Sequence, residues 1–376
     1  MTGQHAFQGF GDHKFPISKY NWGLRQAEPN CIDRAGAWLL ESGIQQAGGG
    51  VSRYRLTDRA ENLPVSTEIT GYAVSGYCYL FEQSGDERYL AAARRASNFL
   101  IDDAWDPTTS SMPFELGATA RYSYFFDCGI IARALLRLYR LDQSERFLTA
   151  AREIGIAMHR DFKSLSGAFH PVILLPCKDP TPYETWWSRM PGAFQLKAAL
   201  AWHELGIETG ESHFAELYEQ MLAFALQQYR VTLDIESDEL KKMDRLHAWA
   251  YFLEGLQPVA NRVNVIGVLR DALTEGEILR EKLAPGFLRS DVCAQLLRVK
   301  LLLGGLPTPG EVERIESFQY VDGDASLKGG FAFGRRDGIT TAHVNPVSTV
   351  FCLQALSYAR HAAEDGLNHA NWLNLI

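Results

Sequence analysis

Apolar residues recur along most of the chain with the spacing of an α-helix, and strand-like alternation is scarce. Two kinds of helical segment alternate. One kind is apolar on nearly all sides and rich in small residues, so it must be buried. The segments of this kind are 66–82, 126–139, 192–205, 244–256, 291–302 and 346–359. The other kind carries a charged face, which predicts exposure on one side. Its segments are 86–102, 144–160 and 211–229, with others beginning near Ile32, Ala260 and Pro309.

A pair of helices, one of each kind, recurs about every 50 residues, and a single hairpin cannot bury its apolar faces alone. Short turns lead from the apolar helices to the amphipathic ones. Long loops rich in glycine, proline and aromatic residues lead back. Six such pairs predict an all-α fold, the (α/α)6 toroid, a six-hairpin double α-barrel with an inner and an outer ring. We expect one toroid domain over residues 30–376, preceded by an extension over residues 1–29.

In a closed ring the N-termini of the inner helices open at the same end as the long loops, so polar residues there converge. Four of the predicted starts carry a carboxylate, namely Glu68, Asp127, Asp244 and Asp291. Helix capping alone favours acids at such positions, and Asp291 resembles a simple cap. His247 follows Asp244 by one turn on the same face. The catalytic candidates are therefore Glu68, Asp127, Asp244 and His247.

The long loops supply aromatic rings and arginines. Rings stack against sugar faces, and guanidinium groups bind carboxylates with two parallel hydrogen bonds. The predicted substrate-binding residues are Arg53, Tyr54, Tyr72, Tyr124, Trp186, Trp187, Arg189, Arg289, Arg336 and His343. This combination favours a cleft for acidic carbohydrate. In an alternative interpretation, Trp186 and Trp187 only plug the mouth of the ring.

Composition narrows the choice of function. Hydrophobic residues make up 46% of the chain and charged residues 22%, as in an ordinary globular protein with a large core. The formal net charge of -8 argues against nucleic acid as a partner. The N-terminus does not resemble a secretory signal, and no run of about 18 apolar residues predicts a membrane span, so we expect a soluble cytoplasmic protein. Six widely spaced cysteines favour reduced, buried thiols, and no metal or cofactor is predicted.

Several segments resemble a known family. Residues 49–54, STEITGY at 66–72 and GDERYLAAA at 85–93 resemble the opening hairpins of bacterial six-hairpin-glycosidase-like proteins of polysaccharide-handling systems. FDCG at 126–129 and HAWAYFLEGL at 247–256 extend the resemblance over residues 45–360. It implies the toroid fold and a carbohydrate substrate. The superfamily includes glycoside hydrolases, unsaturated uronyl hydrolases, sugar epimerases and uronan lyases.

The resemblance does not carry catalytic residues across. The histidine set of the sugar 2-epimerases is missing, as is the tryptophan-and-arginine segment of the unsaturated rhamnogalacturonyl hydrolases. Residues 329–334 and 348–356 also resemble the repeat of terpene cyclases and prenyltransferases, a remote alternative.

The leading hypothesis is a glycoside hydrolase that acts on an oligosaccharide or polysaccharide, uronic-acid-containing chains included. One carboxyl group would protonate the leaving group and the other would act as base or nucleophile. Glu68 and Asp127 are the first candidates for these roles. The alternative is a uronate lyase or C5-epimerase, in which Tyr72 or His247 removes a proton beside a carboxylate neutralised by Arg53. A further alternative is a non-catalytic saccharide-binding or assembly protein.

Overall fold

Helices alternate along the chain between an inner and an outer ring. The structure is a computed structural model that describes residues 30–164, 168–234, 238–364 and 369–376. The predicted extension, residues 1–29, lies outside the described residues. The outer helices are α1 (Cys31–Glu41), α3 (Glu87–Asn98), α5 (Glu145–Phe162), α7 (Ser212–Gln228), α10 (Val263–Leu283) and α12 (Pro309–Glu316). The inner helices are α2 (Thr67–Ser84), α4 (Phe125–Asp142), α6 (Gln195–Thr209), α9 (Glu239–Gly255), α11 (Ser290–Leu302) and α13 (Pro346–Glu364). A short helix, α8 (Val231–Asp234), precedes α9.

The inner ring is closed. Each inner helix contacts the next one along the chain, and α13 contacts α2. An open superhelix would leave these two end helices apart. The predicted (α/α)6 toroid of six hairpins is therefore confirmed.

The turns from inner to outer helices are short, as predicted. Helices α2 and α6 end at Gly85 and Gly210, which adopt left-handed backbone conformations with φ of 69° and 73°. Glycine takes this conformation without strain because it has no Cβ. Asp86 then caps α3 by accepting a hydrogen bond from the backbone N–H of Arg88.

Tryptophan side chains fill the space between the two rings. Trp202 on α6 donates its indole N–H to the carbonyl of Gly155 on α5. Trp249 on α9 donates to the carbonyl of Ala272 on α10. Both rings are fully buried, so each hydrogen bond satisfies a polar atom that water cannot reach. These two anchors fix the inner helices against the outer ring.

One predicted helix start is wrong by more than a turn. The fourth inner helix begins at Glu239 and not at Asp244. Asp238 caps it, because its carboxylate accepts hydrogen bonds from the backbone N–H groups of Leu240 and Lys241. Asp244 therefore lies inside α9 and not in its first turn. The third inner helix begins later than predicted, at Gln195 instead of residue 192.

Three small antiparallel sheets form in the long loops. Their strands are β1 (Arg55–Leu56), β2 (Glu61–Asn62), β3 (Arg121–Tyr124), β4 (Val172–Leu175), β5 (Asp179–Pro180), β6 (Phe287–Arg289), β7 (Gly334–Arg336), β8 (Ile339–Thr340) and β9 (His343–Val344). The strand orders are β2-β1-β9, β3-β4-β5 and β6-β7-β8. Strand β3 runs directly into α4, and β6 runs directly into α11. The sheets therefore surround the end of the ring where the inner helices begin.

Two further sequence predictions concern the chain as a whole. Among the described residues, no helix combines the length and apolarity needed to cross a membrane. All six cysteines are free thiols, and five of them are buried. Cys177 departs from the prediction of buried thiols: it is exposed, because it lies in the turn between β4 and β5.

Candidate active site at the funnel floor

Two carboxylic acids occupy the first turns of neighbouring inner helices. Glu68 lies in the first turn of α2 and Asp127 in the first turn of α4. The residues that precede these helices, Ser66 and Tyr124, make no side-chain capping bond. Helices α2 and α4 pack against each other, with Gly71 directly against the backbone of Ile131. The two acids therefore lie at the same end of the α2–α4 pair, where the inner helices begin. We call this end the funnel floor.

The surroundings of this pair favour protonated carboxyl groups. Asp127 is 6% exposed, and its Oδ2 has no hydrogen-bond partner among the described residues. Burial raises the pKa of Asp127 well above its ordinary value, and the nearby Glu68 carboxyl raises it further. Burial also raises the pKa of Glu68 to about 7. Two neighbouring acids of this kind do not both ionise readily at neutral pH.

Other buried carboxylates of the described chain are paired with cations. Glu204 accepts from Arg133 and Arg140 at 2.6 and 2.8 Å, although burial alone would raise its pKa. Glu254 is paired with Lys197 at 3.1 Å and with Arg298. The pKa values of both glutamates are lowered below their ordinary value, despite burial, by these cations. No such cation contacts Glu68 or Asp127 within the described residues, which sets this pair apart.

Two tyrosines lie beside the acids. The hydroxyl of Tyr72 on α2 donates to the hydroxyl of Tyr251 on α9 over 2.9 Å. Burial raises the pKa of both tyrosines well above 10, and the negative charge of Glu68 adds to the effect. Tyr72 was predicted from the sequence, whereas Tyr251 was missed. Its signal was present, because Tyr251 lies four residues after His247 on the same face of α9.

His247 is a buried, neutral imidazole. Its Nδ1 lies 2.7 Å from Oε1 of Gln295 and 3.9 Å from Oδ2 of Asp291. Burial, together with the nearby Arg289 guanidinium, lowers the pKa of His247 to about 4. The side-chain N–H groups of Gln295 face Glu254, with Nε2 3.5 Å from a carboxylate oxygen. Gln295 therefore presents its oxygen to the imidazole, which places the ring proton on Nδ1.

Arg289 is held by two protein carboxylates. It donates to both oxygens of Asp291 at 2.9 and 2.6 Å, and to Asp244 at 2.7 Å. The ring of Phe333 stacks under the guanidinium at 4.5 Å. Asp291 also accepts from the backbone N–H of Val292, but Arg289 occupies the N-cap position of α11, so Asp291 is not the cap that the sequence suggested. Asp244 is thus an ion-pair partner of Arg289.

An aromatic wall extends from this ion pair to the rim. His343 stacks on Phe333 with ring centroids 4.7 Å apart, and the ring of Tyr54 also lies 4.7 Å from that of His343. Strand pairing positions Tyr54 and His343, because Tyr54 directly precedes β1, whose Leu56 pairs with His343 in β9. Burial lowers the pKa of His343 to about 4. The wall is therefore uncharged at neutral pH.

The loop before α6 places its two tryptophans differently. Trp187 packs against His247, Phe126 and Tyr251, with centroid distances of 5.7, 6.3 and 6.1 Å. Trp186 is 54% exposed and lines a narrow crevice beside Asp244. One tryptophan therefore covers the floor, whereas the other faces solvent.

The remaining predicted arginines are also engaged. Arg189 pairs with Glu184 at 3.0 Å and donates to the hydroxyl of Tyr124. Arg53 pairs with Glu115 at 3.1 Å. Arg336 is exposed and lies over the ring of Phe287 on the β6–β7 sheet. Arg189 and Arg53 are therefore paired with protein carboxylates and do not offer an unpaired cation to a substrate carboxylate.

Contacts connect most of the predicted site. Tyr72 and Tyr251 join the side of Glu68 to His247, since the rings of Tyr251 and His247 are 4.4 Å apart. His247 lies 3.9 Å from Asp291, and Asp291 is paired with Arg289 at 2.6 Å. A cavity of about 550 Å³ lies elsewhere, against α8, α9 and α10, and none of the predicted site residues lines it.

Comparison with known proteins concerns the fold. No protein-family model and no curated protein matches the chain. Solved structures do match. Cellobiose 2-epimerase from Spirochaeta thermophila DSM 6192 superposes with a TM-score of 0.66 at 14% identity, covering 88% of this chain and 95% of that one. A D-mannose isomerase gives 0.64 at 10% identity, covering 88% and 96%. An alpha-amylase from Clostridium perfringens gives 0.61 at 10% identity, covering 89% and 99%.

These likenesses establish the architecture. The chain has the (α/α)6 toroid fold seen in these bacterial carbohydrate enzymes. At such identities the likeness does not extend to a particular activity, which must be argued from the site itself.

Proposed function

We propose that the protein is a glycoside hydrolase in which Asp127 is the general acid and Glu68 the general base. The observation that carries this proposal is the contrast among the buried carboxylates. Glu204 and Glu254 are neutralised by cations, whereas Glu68 and Asp127 lie together without one among the described residues. Such a pair holds one proton near neutral pH, as acid–base cleavage of a glycosidic bond requires.

The difference in burial assigns the two roles. Asp127 is buried, whereas Glu68 keeps part of its surface open. Asp127 is therefore the carboxyl group that holds the proton near neutral pH. It donates this proton to the glycosidic oxygen as the bond to the anomeric carbon breaks. A water oxygen bonds to that carbon, and Glu68 takes the proton that the water loses. Return of this proton to Asp127 restores the enzyme.

The surrounding side chains suit a sugar. Trp187, Tyr72 and Tyr251 supply ring faces and hydroxyl groups beside the acids, and sugar rings stack on such surfaces. The solved structures with this fold include an alpha-amylase and two enzymes that act on other saccharides, according to their names. Both points support a saccharide substrate.

The test is a screen of oligosaccharides in water enriched in ¹⁸O, with products analysed by mass. Hydrolysis adds one water to each bond cleaved, and the label enters the new hydroxyl group. The proposal predicts labelled, shortened products from at least one saccharide. Products with a double bond and no added water would contradict it and indicate a lyase.

His247 supports a second candidate function, epimerisation or isomerisation of a reducing sugar. Gln295 fixes the ring proton on Nδ1, so Nε2 of the neutral imidazole is free to accept a proton from carbon. Tyr72 is less suited to such proton transfer, because a pKa raised well above 10 keeps its hydroxyl group protonated near neutral pH. In heavy water, epimerisation would place deuterium on the sugar carbon without changing the chain length. Hydrolysis would leave that carbon unlabelled.

A further inference from the structure

The charges around the acid pair bear on which sugar binds there, an inference that rests on the proposed function. Glu68 and Asp127 present carboxyl oxygens, and Oδ2 of Asp127 is a buried acceptor without a partner in the described chain. Burial raises the pKa of both groups, and no cation among the described residues offsets this effect. Because the pair holds one proton near neutral pH, it presents one O–H donor and otherwise acceptor oxygens, which suits hydroxyl groups that both donate and accept.

One buried guanidinium at the inner helix starts is already occupied. Arg289 makes two hydrogen bonds to Asp291 and one to Asp244, and the ring of Phe333 covers a face of its planar guanidinium. A substrate carboxylate would have to displace one of these protein carboxylates. His247 and His343 do not help, because both are neutral with pKa values of about 4.

Three of the arginines farther out are also engaged by the protein. Arg189 is paired with Glu184 and Arg53 with Glu115. Arg245, beside Asp244, donates to the backbone carbonyl of Thr185. Lys241 is exposed at the mouth of the crevice beside Trp186. The floor is thus rich in acceptors, and a carboxylate is an acceptor only.

We propose that the sugar residue held by Glu68 and Asp127 is neutral: a pyranose whose hydroxyl groups donate to the acids, and not a uronate. A hydroxymethyl group at C6 can donate to a carboxylate. A carboxylate at C6 would meet the one negative charge that the pair keeps near neutral pH, and it would lose its water shell without gaining a cation. This replaces the acidic substrate favoured by the sequence.

The experiment compares neutral disaccharides with the aldobiouronic acids of the same linkage, which differ only at C6. Binding to the full-length protein is measured by isothermal titration calorimetry, and cleavage by mass spectrometry. At least one neutral disaccharide should bind about tenfold or more tightly than its acidic counterpart, a difference of roughly 1.4 kcal/mol. Equal or tighter binding of the acids, or binding of neither class, would overturn the inference.

A charge variant sharpens the test. Asp244→Asn keeps a hydrogen-bond acceptor for Arg289 but removes one negative charge. Discrimination against the acidic disaccharide should then shrink. Asp271→Asn, on the exposed face of α10, removes the same charge elsewhere and should leave discrimination unchanged. An identical ratio in both variants and the native protein would contradict the electrostatic argument.

The two proposals fail in different ways. Cleavage of an acidic disaccharide with uptake of water would overturn the neutral substrate and leave the hydrolase standing. Selective binding of neutral sugars without cleavage would do the reverse.

Discussion

The side chain of Asp127 combines two properties that a structural carboxylate rarely has. It is buried, and one of its oxygens lacks a hydrogen-bond partner among the described residues. Such a group destabilises the fold when it ionises, because it loses water without gaining a partner. The proposed role as a general acid gives this position a function that helix capping does not.

Asp127→Asn should separate these two roles. Asparagine caps a helix about as well as aspartate, so the melting temperature should stay close to that of the native protein or rise. Turnover of the saccharide identified in the screen should fall by about a hundredfold or more, the usual contribution of an acid or base. Glu87→Gln, in the exposed first turn of outer helix α3, is the matched control and should retain activity. Unchanged turnover in Asp127→Asn would remove this residue from the mechanism.

Glu68 should leave a signature in the pH dependence of stability. Its pKa rises from 4.5 to about 7 on folding, so the protonated form stabilises the protein below about pH 4.5. That contribution is lost as the pH rises through 7. Glu68→Gln cannot ionise and avoids the loss.

The free energy of unfolding of Glu68→Gln should therefore improve relative to the native protein by roughly 1–3 kcal/mol between about pH 4.5 and pH 8. Urea denaturation across this range measures the difference. Parallel pH profiles for the two proteins would show that Glu68 is not perturbed.

At the scale of helices, close packing of the inner ring depends on particular glycines. A Cβ on Gly129 of α4 would lie 2.4 Å from the carbonyl oxygen of Ala198 on α6. This neighbour is backbone and cannot rotate away, so one of the two helices must shift.

Gly129→Ala should lower the free energy of unfolding by about 1–3 kcal/mol, the range for overpacked cores. Gly267→Ala is the matched control, since Gly267 lies on the exposed face of α10 with open space around its Cα. There alanine should stabilise the protein by up to about 1 kcal/mol. Chemical denaturation of the two variants compares them, and stabilisation by both would contradict the packing argument.

At the scale of the whole molecule, a buried charge network ties the inner helices together beneath the site. Glu254 on α9 is paired with Lys197 on α6 and Arg298 on α11. All three side chains are fully buried. The carbonyl oxygen of Ile376 accepts a further hydrogen bond from Lys197 at 2.9 Å.

Glu254→Gln would leave the cations without their shared anion and should cost about 3–5 kcal/mol of stability. Glu219→Gln removes the partner of Arg262 at the exposed surface and should cost less than about 1 kcal/mol. Equal losses in denaturation experiments would show that the network adds nothing special.

Much of the fold was accessible from the sequence, because helical periodicity and the alternation of short and long connections are local signals. The six hairpins and the first-turn positions of Glu68 and Asp127 follow from them. The start of α9 was not, because its opening segment is mostly charged and lacks the nearly all-round apolar character of the helix interior.

The pairing of side chains was less accessible. Arg289 and Asp244 are far apart in sequence, and only the folded ring shows that each satisfies the other. The same is true of Gln295, whose orientation depends on Glu254 as well as on His247. Sequence identifies which residues reach the funnel, whereas the closed ring decides which of them remain available for a substrate.

The central claim is that Glu68 and Asp127 share a proton near neutral pH. Carbon-13 NMR of protein labelled at the carboxyl carbons of aspartate and glutamate tests it without a substrate, with Glu68→Gln and Asp127→Asn used to assign the two signals. One of the two carboxyl groups should still be protonated at pH 7, and removing Glu68 should lower the pKa of Asp127. Ionisation of both groups near their ordinary pKa values of about 4 would contradict it.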